Sequence, residues 1–490
     1  MNKPITRFGQ QAHVPVQSYL HTTVAPLRFE AEVFDCEVVG EVPKELNGSF
    51  YRCGGDTLYP TLENDNLNNG DGVMAAFHFD GGYVDFIQRY VKTERFLLER
   101  KNRRRLYGLY RNAYTDDAAT AGTDRDNTGN TTAWVHHGKL FALREDSIPY
   151  ELDPVTLETK GLAAFRDQLR TKTMTAHPKL DPVTGNLLAF SYEAKGDGTP
   201  DMAYFEISPQ GKLLHQIWFQ APYAAMVHDF AVTEHYVVFP LIPLTVDVER
   251  MKQGGQHFQW QPELPQLFAV VPRHGDAREV RWFKGPKDGF QGHTLNAFDE
   301  DGKVYVDMPV TGGNVFYFFP QADGFVPPPE TLAASLMRWV FDLSSAQDEL
   351  QPQALTDYPC EFPRCDDRYI GRKYEHGFLL AFDPQRPYNS ANGPMPFQFF
   401  NLLAHINLTT GVTDAWFPGD SGCFQEPIFI PRSAAAAEGD GYVVCLLNLI
   451  VEGRSELVVL DSTDMAAGPI ARIKVPFRMR MSLHGCWAPR

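Results

Sequence analysis

The chain has 490 residues and carries 45 Lys and Arg against 61 Asp and Glu, a formal net charge of −16. That balance argues against nucleic acid or an anionic membrane as the main partner, since both need a basic face. Hydrophobic residues at 43% suit a globular protein with a large core, and no apolar run approaches the ~20 residues of a membrane span.

The seven Cys are odd in number and widely spaced, with no Cys-x-x-Cys. They read as reduced core thiols of a cytoplasmic protein. The first ten residues have no apolar core, so no secretory signal is expected. The 35 Phe and 20 Tyr suit strands and an aromatic-lined cavity.

In sequence order, residues 1–29 read as an extended N-terminal arm containing Pro15 and Pro26. The rest, 30–490, reads as one domain with no convincing linker. Alternation over Ala31–Val38 predicts a strand, and Asn47-Gly48 marks a turn. Ala75–Phe79, Gly81-Gly82 and Tyr83–Arg89 predict a hairpin. Thr93–Leu109 has helical spacing and charge, and Tyr110–Asn130 reads as loop. Strands are then predicted at Lys139–Leu143, Leu187–Tyr192, His235–Pro240, Leu267–Val271, Val304–Met308, Phe378–Phe382, Gly441–Asn448 and Glu456–Leu460. Pro329–Trp339 is the other helix candidate. The alternating Arg478–Leu483 predicts a closing strand that runs into His484. Many short strands between Gly, Pro and Asp turns mean an all-β sandwich, barrel or propeller.

Four His share similar settings: His177 in Thr-Ala-His-Pro, His228 in Val-His-Asp-Phe, His293 in Gly-His-Thr and His484 in Leu-His-Gly. Each setting also fits a packing role, and 15 His make chance company easy. Neutral imidazoles suit Fe, Zn or Cu. Four of them with no carboxylate ligand leave a 2+ centre with room for dioxygen. A ligating His usually donates its other ring N–H to an acceptor. Glu145, Glu361 and Glu426 each lie among apolar residues where strand and turn patterns meet. A buried carboxylate needs a partner, and Arg or Lys is as good a candidate there as an imidazole.

Together these pieces resemble the carotenoid cleavage oxygenase family from about Glu30 onward. The resemblance rests on several short motifs in the right order: Asn47-Gly48-Ser49-Phe50-Tyr51-Arg52, Gly70-Asp71-Gly72, Pro149 to Thr159, the four His motifs, Glu361-Phe362-Pro363-Arg364 and Glu426-Pro427. It implies a seven-bladed β-propeller with iron on the axis and a loop and helix cap over the active site. It also implies one Fe(II) per protein molecule, held by His177, His228, His293 and His484, and no organic cofactor. Glu145, Glu361 and Glu426 would then hold His228, His293 and His484 respectively, leaving His177 without a carboxylate.

Leu109 to Asp117, the approach to it from Lys101 to Arg105, and Glu438-Gly439-Asp440-Gly441 resemble the bacterial branch. That branch contains the lignostilbene dioxygenases and the isoeugenol- and vinylphenol-cleaving enzymes. The resemblance implies oxidative cleavage by O2 of the alkene C=C bond that 4-hydroxyphenyl compounds carry beside the ring, giving aldehydes such as vanillin. In the branch a Tyr and a Lys hold the phenol oxygen and a Phe packs on the ring. Tyr110 matches the Tyr, Arg144 stands in the Lys position, and Tyr59 stands in the loosely aligned Phe position. Arg can stabilise a phenolate but does not readily accept a proton, and a salt bridge to a neighbouring carboxylate is its other reading. Apocarotenoid cleavage by the same chemistry is the alternative activity, with Phe316 to Phe319 as an apolar entrance. A propeller that only binds is a third reading. The expected partners are a small phenolic alkene and O2, and a homodimer is left open.

Overall fold

The structure, a computed structural model, describes residues 26–60, 62, 65–123, 127–328, 331–392 and 400–490. Most of the expected N-terminal arm, including Pro15, lies outside the described residues. The alternation read over Ala31–Val38 resolves into two short strands, Ala31–Val33 and Val38–Gly40, that join different sheets. Asp35, at φ +46, turns the backbone between them.

The fold is all-β. Asp71–Asp80 and Tyr83–Tyr90 form the expected hairpin. Its two turn residues, Gly81 and Gly82, have φ of +58° and +95°, the positive values that a twist-matched two-residue turn demands. Within the sheets most strand pairs are antiparallel, and many join strands that are consecutive in sequence. One sheet carries residues 179–220 and another 231–287, each with four strands. An eight-stranded sheet takes the backbone from 289 to 416, and a six-stranded sheet carries 422–475. The first sheet has nine strands and includes both 31–90 and 132–162.

The apolar faces pair in succession. Met74 and Ala76 pack with Leu140 and Ala142, and Phe141 and Leu143 with Ala189 and Phe205. Phe190 and Tyr204 pack with Phe239, Val238 and Phe268 with Val306 and Phe341, and Leu336 with Leu379. Phe378 and Leu403 meet Val443, and Val444 and Leu457 return to Phe50, Phe77 and Phe86. The succession of contacts closes on itself.

The N-terminal and C-terminal strands make that closure. Val38–Gly40 pairs with Pro469–Val475, while His484–Pro489 pairs with Gly48–Asp56 and touches Thr132–His136.

Three expectations are corrected. The helix from Thr93 spans only Glu94–Asn102. Thr93 Oγ1 caps it by accepting from Phe96 N at 3.1 Å. Arg103, at φ +56, ends it, and Glu99 then accepts from Leu106 N and Tyr107 N at 2.8 and 3.1 Å, so the backbone leaves the helical path. The helix candidate at Pro329–Trp339 begins on residues outside those described, and its remainder leads into a strand, Ser335–Asp342, paired on both edges. Arg478–Leu483 is not a strand. The closing strand begins at His484, because the preceding amides are taken by side chains: Met479 N by Ser455 Oγ at 2.9 Å and Ser482 N by Gln425 Oε1 at 2.9 Å. Among the described residues no helix is long and apolar enough to cross a membrane.

Candidate metal centre

The four His come from four different sheets. His177 precedes Lys179–Leu180, His228 precedes Ala231–Val232, His293 precedes Asn296–Glu300, and His484 opens His484–Pro489. One ring nitrogen of each lies within 4.8 Å of those of the other three. Neighbouring ring centroids are 4.5 to 5.0 Å apart.

Three of the rings are oriented by carboxylates. His228 Nδ1 lies 2.9 Å from Glu145 Oε2, His293 Nδ1 2.7 Å from Glu361 Oε2, and His484 Nδ1 2.9 Å from Glu426 Oε1. Burial pushes all three carboxyls up, but the imidazole partners, helped by Arg111 and Tyr192 at Glu145, by backbone N–H groups at Glu361 and by Arg364 and Arg52 at Glu426, outweigh it and hold them below the usual range. An ionised carboxylate only accepts, so each Nδ1 carries a proton and Nε2 is the nitrogen left to bind a metal.

His228 Nε2 and His293 Nε2 are 3.1 Å apart. At that distance either one ring donates a proton to the other or a cation lies between them. Two adjacent ligand nitrogens about 2.1 Å from one ion stand about 3.0 Å apart. The Nε2 of His177 is buried and has no hydrogen-bond partner. Burial and the three neighbouring imidazoles hold His177 well below the ordinary histidine range, and burial holds His484 down to about 4. Burial also lowers His293, but Glu361 outweighs it and raises this ring. The donor set fits a borderline first-row metal.

Each Glu is delivered by local backbone chemistry. Glu361 lies at a register shift between the strands Gln353–Cys365 and His376–Ala381. The next residue, Phe362, has φ +51, an unfavourable value for a bulky side group that costs of order 1–3 kcal/mol. The bend turns Glu361 onto His293 and lays the Phe362 ring against the His293 ring at 5.1 Å. Gly292 makes room, since a Cβ there would come within 2.1 Å of Glu361 Oε1. Gly485 plays a similar part beside His484. A Cβ there would strike Tyr51 O at 2.1 Å, and its N–H donates to Glu426 Oε2 at 3.0 Å. The Glu426 carboxylate also takes Arg52 Nη1 at 2.9 Å and lies 3.6 Å from Arg364 Nη1.

Of the residues read as substrate contacts, Tyr110 is tied to the centre. Its hydroxyl donates to Glu145 Oε1 at 3.3 Å, and Tyr192 donates to the same oxygen at 2.8 Å. Burial and the Glu145 charge raise the Tyr110 hydroxyl far above its ordinary value. Arg144 lies with its guanidinium 4.9 Å from the centroid of the Tyr110 ring, its Nη1 donates to Thr128 Oγ1 at 2.9 Å, and its Nε is 3.2 Å from Asp146 Oδ1. The salt-bridge reading of Arg144 is thus realised on the residue two places along. Tyr59 is buried on the loop after Gly48–Asp56. Phe316 packs edge-on to His228 at 5.8 Å, and Phe319 lies 5.6 Å from Tyr110, so one aromatic segment touches both. A cavity of about 60 Å³ beside the cluster is lined by His177, His293, His484, Thr132, Asp229 and Arg364.

Tyr192, Asp146, Arg111 and Arg52 carry no signal of their roles in the sequence. Arg52 and Arg364 lie inside family-like motifs, but nothing in a single sequence assigns them to Glu426. Tyr192 ends an apolar strand pattern and reads as core. A second group, Glu193, Asp197 and His257, also brings its ligand atoms within 4.8 Å. Arg111 Nη2 and His257 Nε2 both lie on Glu193 Oε2, at 2.5 and 2.9 Å, so this group is an ion-pair network.

Residues 24–489 match the family described as retinal pigment epithelial membrane protein. The protein belongs to the carotenoid cleavage oxygenase family. Within the family it is similar to a lignostilbene dioxygenase of Pseudomonas brassicacearum whose crystal structure is known. The two are 70% identical with a TM-score of 0.95, over 98% of this protein and 100% of that one. It is also 43% identical over 481 residues to lignostilbene-α,β-dioxygenase isozyme III of Sphingomonas paucimobilis, covering 97% of this protein and 98% of that one. Isoeugenol monooxygenase of Pseudomonas nitroreducens is 42% identical over 468 residues, covering 96% and 97%.

Proposed function

We propose that the protein is a non-haem Fe(II) dioxygenase that uses O2 to cleave the alkene C=C bond beside the ring of 4-hydroxyphenyl alkenes, giving aromatic aldehydes. Isoeugenol, 4-vinylguaiacol and hydroxystilbenes are the substrates meant. The observation that carries this is Glu145, which bonds His228 with one oxygen and Tyr110 with the other. A tyrosine suited to a phenol is thereby one carboxylate away from the imidazole cluster. The similarity to enzymes named for lignostilbene and isoeugenol supports the same substrate class.

In this reading His177, His228, His293 and His484 hold the iron, and Glu145, Glu361 and Glu426 fix the tautomer and direction of three of them. Held there, iron(II) would supply the electrons that activate dioxygen. Tyr110 Oη accepts the phenol O–H while its own proton points to Glu145. Ionising the phenol would pass its proton to Tyr110 Oη as the Tyr110 proton moves to Glu145 Oε1, and the positive charge of Arg144 beside the Tyr110 ring would favour that phenolate, which enriches the conjugated alkene in electrons. Phe316, Phe319 and Phe362 keep bulk water away from the rings they touch.

The fold implied is a seven-bladed propeller forming one catalytic unit. Dividing the nine- and eight-stranded sheets at Thr132 and within Gln353–Cys365 yields two blades from each, and the other three large sheets supply one each. The closed succession of core contacts supports this count.

The test is an aerobic assay of the iron-loaded protein on isoeugenol, 4-vinylguaiacol, a hydroxystilbene and an apocarotenal, with products read by mass. Vanillin from the first two is expected. Cleavage of the apocarotenal alone would overturn the reading.

A further inference from the structure

Arg111 is buried, follows Tyr110 directly, and is held at φ +53. Its guanidinium reaches in three directions. Nη1 donates to Tyr192 Oη at 2.5 Å, and Tyr192 in turn donates to Glu145 Oε1 at 2.8 Å. Nε lies 3.7 Å from Asp146 Oδ2, whose other oxygen is 3.2 Å from Arg144 Nε. Nη2 pairs with Glu193 Oε2 at 2.5 Å.

The third arm is an anchor. His257 is fully buried, with Nδ1 2.9 Å from the Arg111 carbonyl and Nε2 2.9 Å from Glu193 Oε2. Both neighbours accept, so His257 bridges the two. It therefore holds Arg111 twice, at its backbone and through the carboxylate paired with its guanidinium. The rings of Tyr192 and Phe258 close over the guanidinium, each centroid 5.1 Å away.

We propose that Arg111 is a positioning residue that sets the metal side and the phenol side of the active site together. One arm, through Tyr192, fixes Glu145 and hence the direction of His228. The other, through Asp146, fixes Arg144 over the Tyr110 ring. The guanidinium suits this because its rigid fork presents N–H groups in three directions, hydrogen-bonding Tyr192 and Glu193 and lying within ion-pair distance of Asp146, and an ammonium in its place serves only one direction well. The metal arm stands on geometry alone. The phenol arm rests on the proposed function.

Three variants separate the arms. Tyr192→Phe breaks the relay from Arg111 to Glu145 and leaves Asp146 in place. Asp146→Asn weakens the relay from Arg111 to Arg144 and leaves Tyr192 in place. Arg111→Lys keeps the charge and loses the fork. Two readouts are used: Co(II) affinity of the metal-free protein, with the absorption spectrum of the cobalt form, and KM for 4-vinylguaiacol on the iron-loaded enzyme. Tyr192→Phe is expected to weaken Co(II) binding roughly 10–100-fold and alter the spectrum, with KM nearly unchanged. Asp146→Asn is expected to raise KM about 10-fold with Co(II) binding unchanged, and Arg111→Lys to move both. A purely structural role would lower melting temperature without this split. Wild-type cobalt affinity and spectrum in Tyr192→Phe, or wild-type KM in Asp146→Asn, overturns the proposal. If the wild-type enzyme turns over no phenolic alkene, the substrate reading and the Asp146 arm fall together, and the cobalt titration still decides the Tyr192 arm.

Discussion

His228 Nε2 and His293 Nε2 face one another at 3.1 Å, close enough to share a proton or one metal ion. Their opposite nitrogens are occupied by Glu145 and Glu361, so neither ring can turn over to relieve the contact without losing a carboxylate partner. A bound cation takes the place of the shared proton and bonds both nitrogens. Metal removal should therefore lower the melting temperature, and re-addition should raise it with a logarithmic dependence on free metal, by about 2.7 kcal/mol at a hundred times the dissociation constant. A melting curve indifferent to chelator and metal would exclude a metal centre here.

Substituting His228→Ala removes one ligand and leaves Glu145 to the two tyrosines. Bound iron measured by elemental analysis should drop to background, with activity lost in parallel. Retention of one iron per protein molecule would take His228 out of the ligand set.

Tyr110→Phe deletes one hydroxyl at a buried site and leaves the ring packing intact. The loss in stability should be about 1 kcal/mol. Turnover of phenolic alkenes should fall at least 10-fold, while bound iron stays at the wild-type level. Undiminished turnover would remove Tyr110 from the phenol site.

Arg52 is fully buried and pairs with Glu426 at 2.9 Å, behind His484. Truncation to Met strands a buried carboxylate, which typically costs ~3–5 kcal/mol. Arg364, at 3.6 Å, offers partial replacement. The expected result is a clear fall in melting temperature together with weaker metal binding. A variant as stable as the wild type would mean that Arg364 alone suffices.

Asp71 gives a pH-dependent prediction. Burial first, and then the nearby Glu99, push its carboxyl up to about 7 in the folded protein, above the ~3.9 of an unfolded Asp. The folded state then binds the proton more tightly, so stability falls as pH rises from about 4 to about 7 and is level above that. Asp71→Asn should raise the melting temperature at pH 8, with the gain shrinking as pH falls toward 4. A gain that does not depend on pH would refute this origin.

The four His and three Glu are legible in the sequence through motifs that resemble a known family. On the residues alone each His also fits a packing role, and Glu361 and Glu426, two places and one place before a Pro, fit an Arg or Lys partner as well as an imidazole. The helix at Glu94–Asn102 is legible from its charge pattern and its Thr93 cap. Ser335–Asp342 is not, because Leu336, Met337 and Trp339 have a spacing that serves either period, and only pairing from both edges decides for a strand. Arg111, Tyr192 and Asp146 are invisible for a different reason. Their roles come from neighbours up to 146 positions apart, as between Arg111 and His257, and no local pattern encodes that. Arg144 stands out in the sequence as a cation where the branch has a Lys, but its partner Asp146 emerges only in three dimensions.

The stitching of early strands to late ones has a consequence for biosynthesis. Val38–Gly40 is made early and waits for Pro469–Val475, and Gly48–Asp56 waits for His484–Pro489. The strand that closes the sheets also opens with the fourth imidazole. Until that strand leaves the ribosome, the nascent protein has both an open seam and an incomplete donor set. A product terminated before His484 therefore cannot assemble the four-imidazole centre, so competence for the chemistry is withheld from everything that stops short of it.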